Sequence, residues 1–187
     1  MNADFEARIR VVDQKVEKME EEAKKKGSHT PQFLIKCDDI FSSDIDGSEK
    51  DGAPCLWIDT GSERHATHDA SGEHTGDGKV VGEDVIVCMK YGSWGPLLQE
   101  GMLAGKVLDE INIHRLISNH GKQVTAQELT YENCLIKFYR QSGDHIIFSF
   151  GYSAVEDLKI KYDAKGTKTG QVGMKFDFSK LKVEGKS

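Results

Sequence analysis

His145-Ile146-Ile147-Phe148-Ser149-Phe150-Gly151-Tyr152 is the stretch on which the fold turns. Side chains of an extended strand alternate between two faces, so Ile146, Phe148 and Phe150 share one face and Ile147 and Ser149 the other. Both faces are apolar in part. Such a strand lies inside a closed sheet on one side and against a neighbour on the other. The same period appears upstream, where Phe33, Ile35 and Cys37 oppose Leu34 and Lys36. Further strands are expected over residues 55–59, 83–90, 107–117, 134–140, 155–162 and 172–178, which makes the chain mainly β.

The first residues follow a different period. Phe5, Ile9, Val12, Val16, Met19 and Ala23 recur at alternating gaps of four and three, with Glu6, Arg8, Asp13, Lys15, Glu20 and Glu22 beside them. That predicts one amphipathic helix over residues 3–26 with a heptad-like seam. Two readings are open: a self-association or docking helix, or a helix packed on its own domain. Gly27 and Pro31 end it. A second, short helix is expected after Ser93, a suitable N-cap, with Pro96 in its first turn, Leu98 and Met102 one turn apart, and Gly105 at its end. Residues 60–80 hold almost no apolar side chain and are expected to form a long exposed loop or hairpin, and residues 41–54 a second loop.

A chain of 187 residues with 37% hydrophobic and 30% charged residues has the make-up of one soluble, globular core. No stretch approaches the ~20 apolar residues of a membrane helix. The start, MNADFEARIR, lacks the pattern of a signal peptide, so a cytoplasmic protein is expected, with any export using a machine that reads no such signal. The net charge of −6, without a basic face, argues against nucleic-acid binding. Cys37, Cys55, Cys88 and Cys134 are widely spaced, without a C-x-x-C pair, and are expected to be reduced, buried thiols rather than zinc ligands.

Chemical motifs are few. His65, His68 and His74 lie near Asp69, Glu73 and Asp77, residue types that bind transition metals, but without the i, i+4 presentation of a helical site; a solvated polar loop is expected. Asp44-Ile45-Asp46-Gly47 begins like a calcium loop, yet the twelfth position is Cys55 where a bidentate Glu is required. Gly76-Asp77-Gly78-Lys79-Val80-Val81-Gly82 has its third glycine one residue late for a dinucleotide fingerprint. There is no Gly-x-Ser-x-Gly elbow, and His114 and His145 sit in strands. No catalytic residue, cofactor or metal site is expected.

The order of pieces in the second half carries a resemblance. Trp94-Gly95-Pro96-Leu97-Leu98-Gln99-Glu100-Gly101-Met102-Leu103-Ala104-Gly105-Lys106 leads into the strand at 107–117. Leu158-Lys159-Ile160-Lys161-Tyr162, the turn Lys165-Gly166-Thr167-Lys168-Thr169-Gly170 and Phe176-Asp177-Phe178 follow, while Gln32 to Ile40 and His74 to Val80 match an opening strand and a Gly-rich loop end. From about Gln32 to Val183 this resembles the Hcp (haemolysin-coregulated protein) family, the tube subunits of type VI secretion. The resemblance implies a compact β-barrel of two packed sheets with one flanking helix, over residues 31–187, preceded by a helical extension over 1–30. It implies a homo-oligomer, a hexameric ring stacking into a tube, with sheath, spike and effector proteins as partners and export from the cell. The rival readings are a barrel that carries a small ligand beside Phe148 and Phe150, and an enzyme with metal at His65, His68 and His74.

Overall fold

The structure, a computed structural model, describes residues 3–26, 32–41, 52–64, 67–68, 74–75 and 80–186. Along the chain these form α1 (Ala3–Lys26), β1 (Phe33–Lys36), β2 (Ala53–Asp59), β3 (Ser62–Arg64), β4 (Thr67–His68), β5 (His74–Thr75), β6 (Val80–Gly82) and β7 (Val85–Lys90). Then come α2 (Trp94–Ala104), β8 (Val107–Asn119), β9 (Lys122–Ser142), β10 (His145–Gly151), β11 (Ala154–Tyr162), β12 (Lys168–Asp177) and β13 (Lys182–Lys186). Neither described helix is long and apolar enough to cross a membrane.

The 21-residue β9 organises the sheet. One of its edges pairs with β8. The other pairs first with β11, from Gln127 to Glu132, and then with β10, from Leu135 to Ser142. Pairing therefore runs β9–β8–β1–β2–β7–β10 and back to β9, a closed ring, while β11, β12 and β13 leave β9 as a wing. The hand-over falls at Asn133, whose φ of 50° is a left-handed conformation that asparagine tolerates better than most residues. Its amide donates to Ser153 Oγ at 2.9 Å, and the Ser153 N–H donates to the Glu132 carbonyl at 3.0 Å.

The interior follows from the alternation. Ile146, Phe148 and Phe150 join Val85, Val87, Met89, Ile111, Ile113 and Tyr131 in the core, with Leu98 of α2 inserted. Phe150 meets Tyr131 edge-on at 5.3 Å, so the space beside Phe148 and Phe150 is filled by side chains. The alternate residues Ile86, Cys88 and Ile147, with Leu56, form a second apolar cluster on the outside, and Ile9, Val12 and Val16 of α1 cover it.

The heptad seam is thus satisfied within the chain, against its own sheet. The side chains of Met19 and Ala23 lie outside the described residues. Polar clamps fix the helix: Arg8 Nε donates to Asp59 at 2.7 Å and its Nη2 to the Asp84 carbonyl at 2.9 Å. Arg140 Nη2 reaches both carboxylate oxygens of Asp13 at 2.7 and 2.8 Å. Phe5 packs edge-on against Phe138 at 5.4 Å.

Two local expectations are adjusted. Ser93 has helical φ and ψ and makes no capping bond; Trp94 Nε1 instead donates to the Lys90 carbonyl at 3.0 Å. Gly105 does end α2, with φ of 62°. The strand expected at 134–140 is the last part of β9, whose first half (Lys-Gln-Val-Thr-Ala-Gln-Glu) carries too few apolar residues to announce itself. Within 60–80, β3 pairs with β6 and β4 with β5, the hairpin form of the expected exposed segment.

Asn133→Val, which forces a β-branched residue into the left-handed region, is expected to cost about 1–3 kcal/mol of stability, read from the urea midpoint. Deleting residues 1–26 is expected to leave the interior packed, with near-UV circular dichroism close to native. Dye binding should rise, because Leu56, Ile86, Cys88 and Ile147 become exposed; loss of cooperative unfolding would show that α1 is integral to the core.

Candidate assembly interface

The wing continues the inner face of the ring past the point where the ring closes. Register places Val183, Phe176, Val155, Tyr131 and Ile111 in one cross-strand row. The next row holds Met174, Asp157, Leu129 and Ile113, and the one after it Val172, Lys159, Gln127 and Arg115. Toward the ring the first two rows are buried at Tyr131, Ile111 and Ile113, while Arg115 of the third is exposed. Toward the wing edge they open: Val172 is 45% exposed, Met174 44% and Val183 62%. A cleft of about 680 Å³ lies between this face and β1 and β2, with Phe33, Ile58, Leu129, Val155 and Phe176 in its walls.

Aromatic contacts stiffen the base of the cleft. Tyr131 and Tyr152 meet at 4.8 Å, Tyr152 and Phe178 at 5.5 Å, and Phe178 and Phe176 at 4.6 Å. Gly82 of β6 sits so close that a Cβ there would lie 2.9 Å from both Phe178 and the Tyr152 hydroxyl. Burial pushes the Tyr152 phenol up to about 12. Tyr131, raised the same way, shares a 3.0 Å hydrogen bond with Thr60 Oγ1.

β13 is the open edge of the wing, paired with β12 alone among the described strands. The turn that returns it is built on Asp177. Its carboxylate accepts from Ser179 Oγ at 2.5 Å, Ser179 N at 2.9 Å and Lys180 N at 3.1 Å. The Ser179 hydroxyl first, then Lys180, hold this carboxyl well below its usual range. At the far end, the β8–β9 and β11–β12 hairpin tips dock: Asn119 Nδ2 donates to the Gly166 carbonyl at 3.3 Å, and the His120 ring contacts the Ala164 carbonyl at 3.0 Å. Asp163 accepts from the N–H groups of Lys165 and Thr167, both at 2.8 Å, shaping the glycine-bearing turn.

A second exposed apolar point lies where α2 passes into β8. Leu103 is 75% exposed and Val107 57%. Glu100, Asp109 and Glu110 flank them, all exposed. Lys106 pairs with Asp39 at 3.2 Å.

The residues weighed for chemistry are only partly among those described. His65, Asp69, Glu73 and Asp77, the segment 44–47 and residues 76–79 lie outside the described residues. His68 and His74 are cross-strand partners in β4 and β5, and their side chains are not among those described. No cluster of three metal-ligating side chains occurs among the described residues. His114 lies opposite Glu128 within β8–β9, and His145 Nδ1 is 3.1 Å from Asp144. None of the four cysteines is in a disulfide, all four are buried, and burial lifts Cys37 to about 11 and Cys134 to about 12. Such thiols stay protonated and poorly nucleophilic. The wing face was legible only as an alternating strand; its exposure depends on which strands lie opposite, which spacing in one segment does not encode.

The sheet ring, its wing and the flanking helix define a mainly β class of fold. It is the fold of the Hcp proteins of type VI secretion systems. A structure described as a type six secretion system protein superposes with a TM-score of 0.70 at 15% identity, covering 83% of this chain and 100% of that one. Hcp1 from Salmonella typhimurium gives 0.60 at 18% identity, covering 81% and 97%. A type VI secretion system effector from Yersinia pestis gives 0.58 at 13% identity, covering 78% and 98%. No family model matches the sequence. No curated protein matches it either.

Thiol-reactive dye at pH 8 is expected to leave all four cysteines unmodified in the native protein and to label them in denaturant. Because the folded Cys37 and Cys134 thiols titrate above the ordinary 9.0, their stabilising effect is complete below about pH 9. It is expected to fade as pH rises toward 11–12, which a urea midpoint series would follow. Asp177→Ala is expected to release β13, seen as faster hydrogen exchange over residues 182–186 with the ring amides unchanged.

Proposed function

We propose that this chain is a structural subunit of a type VI secretion tube, assembling into hexameric rings that stack, carry effectors and are themselves exported. The observation that carries this reading is a wing face of exposed apolar side chains attached to a fold that covers the whole length of solved secretion proteins. A ring needs a heterologous contact, in which one patch of each copy meets a different patch of the next. The wing, with its open β13 edge, supplies one patch of that kind. Sheath and spike proteins are the remaining partners of such a tube, and its work requires assembly rather than catalysis, without a cofactor.

The rival, a barrel holding a small ligand beside Phe148 and Phe150, is disfavoured because those side chains are fully buried and packed on one another at 6.4 Å. Native mass spectrometry and negative-stain imaging decide the matter. Six-membered rings are the expected species at high protein concentration; a strictly monomeric chain without rings would overturn the reading.

A further inference from the structure

We propose that the apolar wing face is covered in the assembled protein by the α2–β8 corner, Leu103 and Val107, of a second copy of this chain. The proposal rests on the reading of the chain as a ring subunit and names the two patches that meet. Ile117, Val172, Met174 and Val183 all remain 38% or more exposed on the wing face. Cross-strand register sets Arg115 and Lys159 in the same row as Val172. In the adjoining row the Asp157 carboxylate accepts from Gln127 Nε2 at 2.8 Å, so the occupant must be apolar, with negative charge toward the Arg115 and Lys159 side.

The chain's own loops have the wrong chemistry. Residues 42–51 and 65–79 are almost entirely polar, with Ile45 and two alanines as their apolar content. Of the exposed apolar side chains elsewhere, Leu103 is the most exposed and has Val107 four residues on, across the Gly105 turn. Glu100, Asp109 and Glu110 are exposed close by in the chain, Lys106 within the corner is paired with Asp39, and neither Arg115 nor Lys159 has a carboxylate partner among the described residues. Apolar exposure and charge thus pair one patch with the other.

A copy cannot fold its corner onto its own wing. Val107 pairs with Leu135, whereas Met174 sits two strands across from Leu129, so the two lie about 20 Å apart in the strand direction and three strands, about 14 Å, apart across the sheet. The contact is then between copies and heterologous, and its repetition can close a ring.

The test uses full-length protein carrying Leu103→Cys or Met174→Cys, mixed and oxidised, with the buried native thiols as silent background. The mixture is expected to yield a disulfide dimer mapped to positions 103 and 174, at about tenfold the level of either variant alone. As a second measurement, Lys159→Glu should weaken assembly by about fivefold, the upper range for an exposed pair, and Asp109→Lys in the same chain should restore it. Rings formed without the 103–174 crosslink and without charge rescue would overturn this proposal while leaving the tube reading standing. A wild-type chain that forms no rings, and no crosslink in the mixture, would overturn both.

Discussion

The change of partner halfway along β9 is the constraint from which the rest of the architecture follows. Its edge pairs with β11 up to Glu132 and with β10 from Leu135, and a single left-handed asparagine separates the two. A backbone edge can satisfy one neighbour at each residue, so strands that share it must take it in succession. That succession is what lets the sheet close into a ring and still extend a wing. Bulges where Ser149 gives way to Phe150, and where Arg115 gives way to Leu116, supply the bending that closure requires.

From this follows an uneven distribution of apolar surface. Inside the ring, the alternate residues of β7, β10 and β9 fill one another's space. Outside it, the intervening residues of β7 and β10 would face water, and α1 covers them. Each buried aliphatic side chain there is worth about 1.5–3 kcal/mol, and Ile9, Val12 and Val16 are all 6% exposed or less. The wing has an inner face of the same character and no such helix over it among the described residues. Its apolar rows end at an edge strand, with cations rather than apolar residues at their border. Burial inside one copy and exposure at the wing are two outcomes of the same period-two pattern.

The amphipathic helix shows how a sequence pattern can be clear and its partner undetermined. Phe5, Ile9, Val12 and Val16 specify a stripe, and a stripe must meet something apolar. Whether that is a second helix or a sheet depends on what else lies within reach. Here Arg8, at Asp59 and Asp84, and Asp13, at Arg140, fix the helix on β2, β7 and β9 through contacts more than fifty residues apart in sequence. A helix held by both apolar packing and ion pairs is a covering element, and the wing is left with exposed apolar side chains.

Local pattern determined the elements themselves: α1 from its four–three spacing, α2 from Pro96 and Gly105, and β1, β7, β10, β11 and β12 from alternation. It also led to the expectation of buried thiols, since the cysteines stand in or at the start of strands without a C-x-x-C pair. The first half of β9 and all of β13 were not legible, because strands with one polar face and few apolar residues acquire their state from cross-strand pairing. Only the tertiary structure decided which edges meet, where β9 changes partner, and so which apolar residues stay uncovered. The physical reason is that side-chain alternation is a property of each strand, whereas burial depends on strands distant in the chain being brought to face it.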